Sequence, residues 1–225
     1  MRRVGAGGLA LARHGQCADT SDVPQPSFLA GRFPPHRLLP GWLGATRSAE
    51  LLAYGVAAEA RFAATRLDDH GAGRLDAVVR RSRVLKDIGD FAAPLRRSAL
   101  ALQAGLETAF DMPHVAENST QIEMVAHGDG AFYRPHTDTY SGDEYTPGGR
   151  RRLTMVYYLH AAPRRFTGGR LRLFDLGGDQ SIDIEPTHDS LLVFPSSARH
   201  EVETISCPDG TFADARFALN IWLCG

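Results

Sequence analysis

The sequence predicts an α+β fold in which helices come first and a roll of short strands follows. Three observations carry that prediction. Two Ala- and Leu-rich stretches at helical spacing lie before residue 111. Seven short runs of apolar and β-branched residues, punctuated by Gly, Asp and Pro, lie after Pro113. No internal repeat or second regime of composition divides the chain, so helices backing one sheet of a jelly roll or barrel is the architecture expected.

Residues 1–27 are rich in Gly, Ala, Ser, Asp and Pro without periodicity and read as a flexible arm. The remainder, 28–225, reads as a single domain whose roll core spans about 121–225. Pro35 to Pro40 reads as a short strand feeding a turn at Gly41. Arg47 to Arg66 has no internal Pro and carries Leu51, Leu52, Val56 and Phe62 near helical spacing, with Thr46 or Ser48 available as a cap. A second helix is expected from Ala93 to Phe110. Pro94 sits in its first turn, and Leu95, Ala99, Leu102, Leu106 and Phe110 share a stripe. Residues 77–85 between the helices read as extended. The expected strands run from Gln121 to Ala126, Leu153 to Leu159, Leu171 to Phe174, Ile182 to Ile184, Ser190 to Phe194, Glu201 to Ile205 and Arg216 to Leu223.

Composition narrows the function classes. The 225 residues are 43% hydrophobic, enough for one well-buried core. A formal net charge of −1 removes the electrostatic case for a dedicated nucleic-acid binder. The clusters Arg80, Arg81, Arg83, then Arg150, Arg151, Arg152, then Arg164, Arg165 read as solvated faces. Cys17, Cys207 and Cys224 are odd in number and contain no CxxC, which argues against a disulfide framework and a Cys-ligated zinc. No apolar run approaches the ~18 residues of a membrane span, and Arg13 and His14 interrupt the only apolar patch near the start. A cytoplasmic protein without membrane contact is the expectation.

The chemistry concentrates at His136-Thr137-Asp138, then His200, then Arg216. An HxD pair by itself is weak: nine His and seventeen Asp in 225 positions give roughly 0.7 chance matches. Its context is stronger. On a strand, period two turns His136 and Asp138 to one face, and His200 opens another strand-like segment. Two neutral imidazoles and one carboxylate suit Fe(II) and leave coordination positions open. Arg216 begins an apolar strand, where its guanidinium either meets an acid or snorkels to water.

Five segments now line up with a known family. HisGlyAspGlyAlaPheTyrArgProHisThrAsp, ArgLeuThrMetValTyrTyrLeuHis, PheThrGlyGlyArgLeuArgLeuPheAsp, PheProSerSerAlaArgHisGluVal and ArgPheAlaLeuAsnIleTrpLeu resemble, in order, the prolyl-4-hydroxylase-type 2-oxoglutarate oxygenases. The resemblance covers about 121–225; the N-terminal half fits only in outline. It implies a double-stranded β-helix, the cupin-like jelly roll, backed by N-terminal helices. It implies iron on His136, Asp138 and His200, with 2-oxoglutarate chelating the iron and its far carboxylate meeting Arg216. O₂ is then the oxidant and ascorbate the reductant. Tyr158 resembles the Tyr whose hydroxyl helps hold that carboxylate, although either Tyr157 or Tyr158 must face away by alternation. Many members carry a Tyr where His127 stands here, so His127 either replaces it at the co-substrate or is a surface turn residue. Tyr133 fits the family pattern as a pocket residue, but its parity with His136 is wrong unless a bulge intervenes.

The reaction implied is oxidative decarboxylation of 2-oxoglutarate to succinate and CO₂, coupled to hydroxylation of an unactivated C–H. Halogenases of the broad class lack the carboxylate, so Asp138 favours hydroxylation. The substrate implied is a prolyl residue in a peptide or a small molecule such as an amino acid or natural-product intermediate. The polar loop Thr139 to Gly149 with Arg150 to Arg152 is where contact with it is expected. Two rival readings keep the fold without this activity: a metal-binding jelly roll with no turnover, and a cupin-like metal isomerase. The latter has no use for Arg216 beside Tyr158.

Overall fold

The computed structural model describes residues 32–65, 78–116, 119–139 and 149–225. The arm expected over 1–27, and residues 140–148 of the expected substrate loop, lie outside them. In chain order the regular elements are β1 (Arg37–Pro40), α1 (Ala45–Ala57), β2 (Ala63–Ala64), β3 (Arg80–Arg81), β4 (Arg83–Leu85) and α2 (Ala92–Ala109). The strands of the roll follow: β5 (Ser119–His127), β6 (Phe132–His136), β7 (Arg151–Leu159), β8 (Thr167–Gly168) and β9 (Leu171–Phe174). The chain closes with β10 (Ser181–Ile184), β11 (Ser190–Pro195), β12 (His200–Val202), β13 (Ile205–Ser206) and β14 (Arg216–Cys224).

Two antiparallel sheets form the roll. The larger has the order β1-β11-β7-β14-β5-β4-β2 and the smaller β10-β9-β12-β6-β3, with β13-β8 as a separate ribbon. Alternation along the central strands of the larger sheet makes two cores. Leu153, Met155, Tyr157 and Leu159 of β7, with Phe217, Leu219, Ile221 and Leu223 of β14, face the helices and pack with Leu51 of α1 and Leu95, Ala99 and Leu106 of α2. The other parity, Val156, Tyr158 and Ala218, faces Leu171, Leu173, Leu192 and Phe194 inside the roll. Each such buried aliphatic or aromatic side chain contributes about 1.5–3 kcal/mol. Tyr157 therefore belongs to the helix side, where its hydroxyl donates to Asp189 at 2.6 Å, and Tyr158 to the interior.

Three expectations need correction. α1 ends at Ala57, not Arg66, and is preceded by Gly44; neither Thr46 nor Ser48 caps it, and the buried Ser48 hydroxyl donates to Ala45 O instead. The chain leaves the helix because Phe62 turns inward, edge-on to Phe212 and Phe217, and Ala63 and Ala64 pair with Val84 and Arg83. The extended stretch around Arg80 is two strands in different sheets: β3 pairs with β6, β4 with β5, and Ser82 carries the chain across. The strand expected from Glu201 to Ile205 also divides, since β12 pairs with β6 and β9 while β13 pairs with β8. Among the described residues, no helix is long and apolar enough to cross a membrane.

Candidate active site

His136 is the last residue of β6 and His200 the first of β12, and the two stand opposite one another in the antiparallel register. That pairing brings their rings to 4.2 Å between centroids. Asp138 lies two residues past β6, held by its backbone N–H donating to Ser196 O at 2.9 Å. One ligand atom from each of His136, Asp138 and His200 falls within 4.8 Å of the others, and among the described residues no other His/Cys/Asp/Glu group does this.

Surrounding contacts prepare these groups as ligands. The Nδ1 of His136 lies 2.7 Å from Arg134 O and that of His200 2.9 Å from Ala198 O, so each Nδ1 carries the proton and each Nε2 offers a lone pair. Those Nε2 atoms stand 3.8 and 3.7 Å from the Asp138 carboxylate oxygens. Burial, then the neighbouring His200, pushes the His136 imidazole down to about 3, keeping it neutral. Burial alone would raise Asp138, but its interaction with His200 and His136, together with hydrogen bonds from Trp222 and Thr154, holds the carboxyl below its usual range. Its Oδ2 accepts from the Thr154 hydroxyl at 2.8 Å, and Ser196 Oγ lies 2.9 Å from Thr154 Oγ1. Because the Thr154 proton is committed to the carboxylate, Ser196 is the donor of that second bond.

A bulge settles the parity of Tyr133. The register advances from His200–His136 to Val202–Tyr133, placing one extra residue on β6. Tyr133 thereby returns to the face of His136, stacking on it at 3.4 Å between centroids and 17° between planes.

The metal candidate opens into a cavity of ≈ 730 Å³, within the roughly 300–1,000 Å³ range of small-molecule sites. Arg216 lies in its wall, 1% exposed, with its guanidinium over the Tyr158 ring at 4.9 Å. His127, opposite Arg216 on β5, is 4% exposed with its Nδ1 3.2 Å from Arg216 Nη1, so the surface-turn reading of His127 is wrong. Arg216 Nε and Nη2 and the Tyr158 hydroxyl are buried without hydrogen-bond partners. Three orphaned donors beside a cavity fit an anion with several acceptor oxygens, such as a carboxylate. Room for Arg216 depends on Gly169 of the Gly-Gly pair, since a Cβ there would stand 2.9 Å from Arg216 Cδ and 2.7 Å from Ile205 Cγ1. Gly169 also has φ +71°, which favours glycine.

Burial, then Arg216 and Arg80, holds His127 well below 6.5. An unfolded chain takes up that proton near pH 6.5 and the folded one does not, so this stability is intact above 6.5 and erodes as pH falls. We expect denaturation midpoints to drop below pH 6.5 with up to about 1.4 kcal/mol per pH unit from this imidazole. His127→Gln should show a measurably shallower slope.

Sequence reasoning missed several groups in this cavity. Arg80, Glu123, Asn220 and Trp222 line it. Arg80 and the neighbouring clusters are also less solvated than expected. The Arg80 guanidinium lies 4.6 Å from the Tyr133 ring and that of Arg151 3.7 Å from Trp222, while Arg152 donates to Glu107 at 2.6 Å. A parity count was the available signal: from Arg216 it gives Asn220 and Trp222, from His127 it gives Glu123, and from Tyr158 it gives Thr154.

Residues 121–224 match the model of the 2OG-Fe(II) oxygenase superfamily. An uncharacterised PKHD-type hydroxylase of Synechocystis is 37% identical over 111 residues, 46% of this chain and 35% of that protein. Among solved structures, a Trichoplax adhaerens prolyl hydroxylase in complex with a hypoxia inducible factor peptide superposes with TM-score 0.65 at 20% identity, covering 84% of this chain and 83% of that one. A Pseudomonas putida prolyl-4-hydroxylase gives 0.60 at 23%, covering 87% and 94%. Over residues 121–224, just under half of the chain, the sequence is similar to the 2OG-Fe(II) oxygenase superfamily. Over that segment the sequence is prolyl hydroxylase-like, being also 33% identical over 112 residues to the human prolyl hydroxylase EGLN3, and the chain spans less than half the length of these curated relatives.

Proposed function

We propose that this protein is an Fe(II)- and 2-oxoglutarate-dependent oxygenase that hydroxylates an unactivated C–H of a prolyl residue or a small molecule. The observation that carries the reading is one cavity joining a His-Asp-His cluster to a buried guanidinium with two unpartnered nitrogens. The donor set fits iron: two imidazoles locked with Nε2 outward and one carboxylate held by Thr154. The orphaned atoms of Arg216 and Tyr158 fit the far carboxylate of 2-oxoglutarate, with His127 bracing Arg216 in place of the more usual Tyr.

Bound iron, with 2-oxoglutarate and O₂, supplies oxidising power that no side chain here has. The chain's own residues bind and orient. His136, Asp138 and His200 would hold the iron, with the cavity beside them available to the co-substrate. Arg216 fixes the co-substrate by a charge-assisted pair in a site shielded from water. Tyr133, stacked on His136, restricts the metal-side wall to one ring orientation.

Succinate formation from 2-oxoglutarate in air, with Fe(II) and ascorbate, tests the reading. Wild type should release succinate, and His136→Ala should lose at least ~100-fold of it. Equal succinate from the two proteins would overturn the assignment in favour of a binding role or a different metal reaction.

A further inference from the structure

Deep in the cavity wall lies a pair of charges that the metal and the co-substrate do not use; the Arg61–Asp87 pair of the same cavity is closed at 3.1 Å and largely exposed. Arg80 on β3 and Glu123 on β5 approach to 3.7 Å, with side chains 11% and 16% exposed. This is an open pair, longer than a hydrogen bond. Arg152–Glu107, the other Arg–carboxylate pair with both side chains under a fifth exposed among the described residues, closes at 2.6 Å. Burying two charges without a direct hydrogen bond leaves most of their desolvation cost uncompensated. Such an arrangement makes sense when something else completes it.

Both groups are held from the side and face the cavity. The Arg80 Nε donates to Ser82 Oγ at 3.0 Å, and its guanidinium rests on the Tyr133 ring. Glu123 Oε1 accepts from Asn220 Nδ2 at 3.3 Å. Because Tyr133 stacks in turn on His136, the pair stands one aromatic ring away from a metal ligand. Trp222, two residues beyond Asn220 on β14, lines the same cavity, with the Arg151 guanidinium 3.7 Å from its ring.

We propose that Arg80 and Glu123 form a substrate subsite for the zwitterionic head of a free α-amino acid. This deepens the oxygenase reading and rests on it. An α-amino acid carries its carboxylate and ammonium on one carbon, at a spacing that matches two opposite charges 3.7 Å apart. The carboxylate takes the guanidinium, and the ammonium takes Glu123 where Asn220 fixes it. Side-chain carbons then extend past Tyr133 toward the metal. A peptide interior offers neither charge and would leave both groups desolvated against neutral amides.

The test uses the full-length protein with Fe(II), 2-oxoglutarate and ascorbate. The probes are the twenty free amino acids, N-acetyl and C-amide derivatives of any that respond, and a prolyl peptide. At least one free amino acid should raise succinate release tenfold over the rate without it and gain a hydroxyl by mass spectrometry, and both capped forms should lose the effect. Glu123→Gln and Arg80→Gln should each raise KM for that amino acid 10- to 100-fold, whereas a merely structural strut would shift the KM for 2-oxoglutarate or kcat equally. Glu123→Asp, which keeps the charge, should recover part of the loss. Stimulation by the peptide or capped forms with none by free amino acids would overturn the proposal, as would an unchanged amino acid KM in both Gln variants. Absence of succinate under every condition, together with no absorption band from anaerobic iron–2-oxoglutarate binding, would instead overturn the oxygenase reading and the subsite with it.

Discussion

Replacing Arg216 by Met is expected to abolish 2-oxoglutarate turnover while leaving the folded protein as stable as before, or more so. The two halves of that expectation have separate causes. Arg216 is a buried cation with two unpartnered nitrogens, so in the absence of an anion the fold bears its desolvation with little return. Burial accordingly pulls its pKa below the usual guanidinium value. Met retains most of the apolar stem, which packs against Gly169, and removes the charge. Binding loses what folding gains. Two charge-assisted hydrogen bonds at about 1.5–3 kcal/mol each put the fall in kcat/KM for 2-oxoglutarate at ~100-fold or more. Thermal denaturation with and without 2-oxoglutarate separates the effects. Wild type should gain about 2.7 kcal/mol at a hundredfold excess of ligand over its Kd, and Arg216→Met at most about 0.4 kcal/mol. A large loss of stability in the unliganded variant would mean that Arg216 is chiefly a structural residue.

The sequence made this residue visible and left its setting hidden. Three of the four candidate residues were legible at strand ends, His136 closing β6, His200 opening β12 and Arg216 opening β14, while Asp138 was legible only from its spacing in the HxD motif, since it lies two residues past β6. Alternation, carried along the strands, reaches Thr154, Asn220, Trp222 and Glu123. It fails at Tyr133, where one extra residue on β6 reverses the parity. It fails also at Arg80, which reaches the cavity only because Ser82 carries the chain from the smaller sheet to the larger. A switch of sheets between residues 81 and 83 leaves no periodic trace, so a run of arginines looks like a solvated face. The early end of α1 is hidden for a similar reason. No Gly or Pro stops it, and the long-range packing of Phe62 on Phe212 and Phe217 does.

The geometry also explains why the Gly-Gly pair belongs to the site although it contacts no ligand. A Cβ on Gly168 would lie 2.3 Å from Thr204 O, and one on Gly169 would strike Arg216 and Ile205. The pair lets β8 and the turn after it press against β13 and the Arg216 stem together. Arg216 is thereby held in its position before any carboxylate arrives, which is the pre-organisation that a charge-assisted anchor needs.

Thr154→Val should weaken iron binding by about 10- to 100-fold with little change in overall shape. Thr154 lies on the interior face of β7 and gives its proton to Asp138 Oδ2, while Ser196 donates to Thr154 from the end of β11. This two-hydroxyl chain fixes the carboxylate plane between the two imidazoles. Valine keeps the branched shape but leaves Oδ2 buried without its donor, so the carboxylate rotates or draws in water, and the three ligands no longer converge without cost. Thr154→Ser retains the hydroxyl and should restore most of the affinity. Ser196→Ala acts one bond further away and should cost less than Thr154→Val. Anaerobic titration with Fe(II), or with Mn(II) as a redox-silent substitute, reads these constants without relying on turnover. Equal affinities for Thr154→Val and wild type would show that the imidazoles and the metal alone orient Asp138, and that the hydroxyl chain serves packing between β7 and β11.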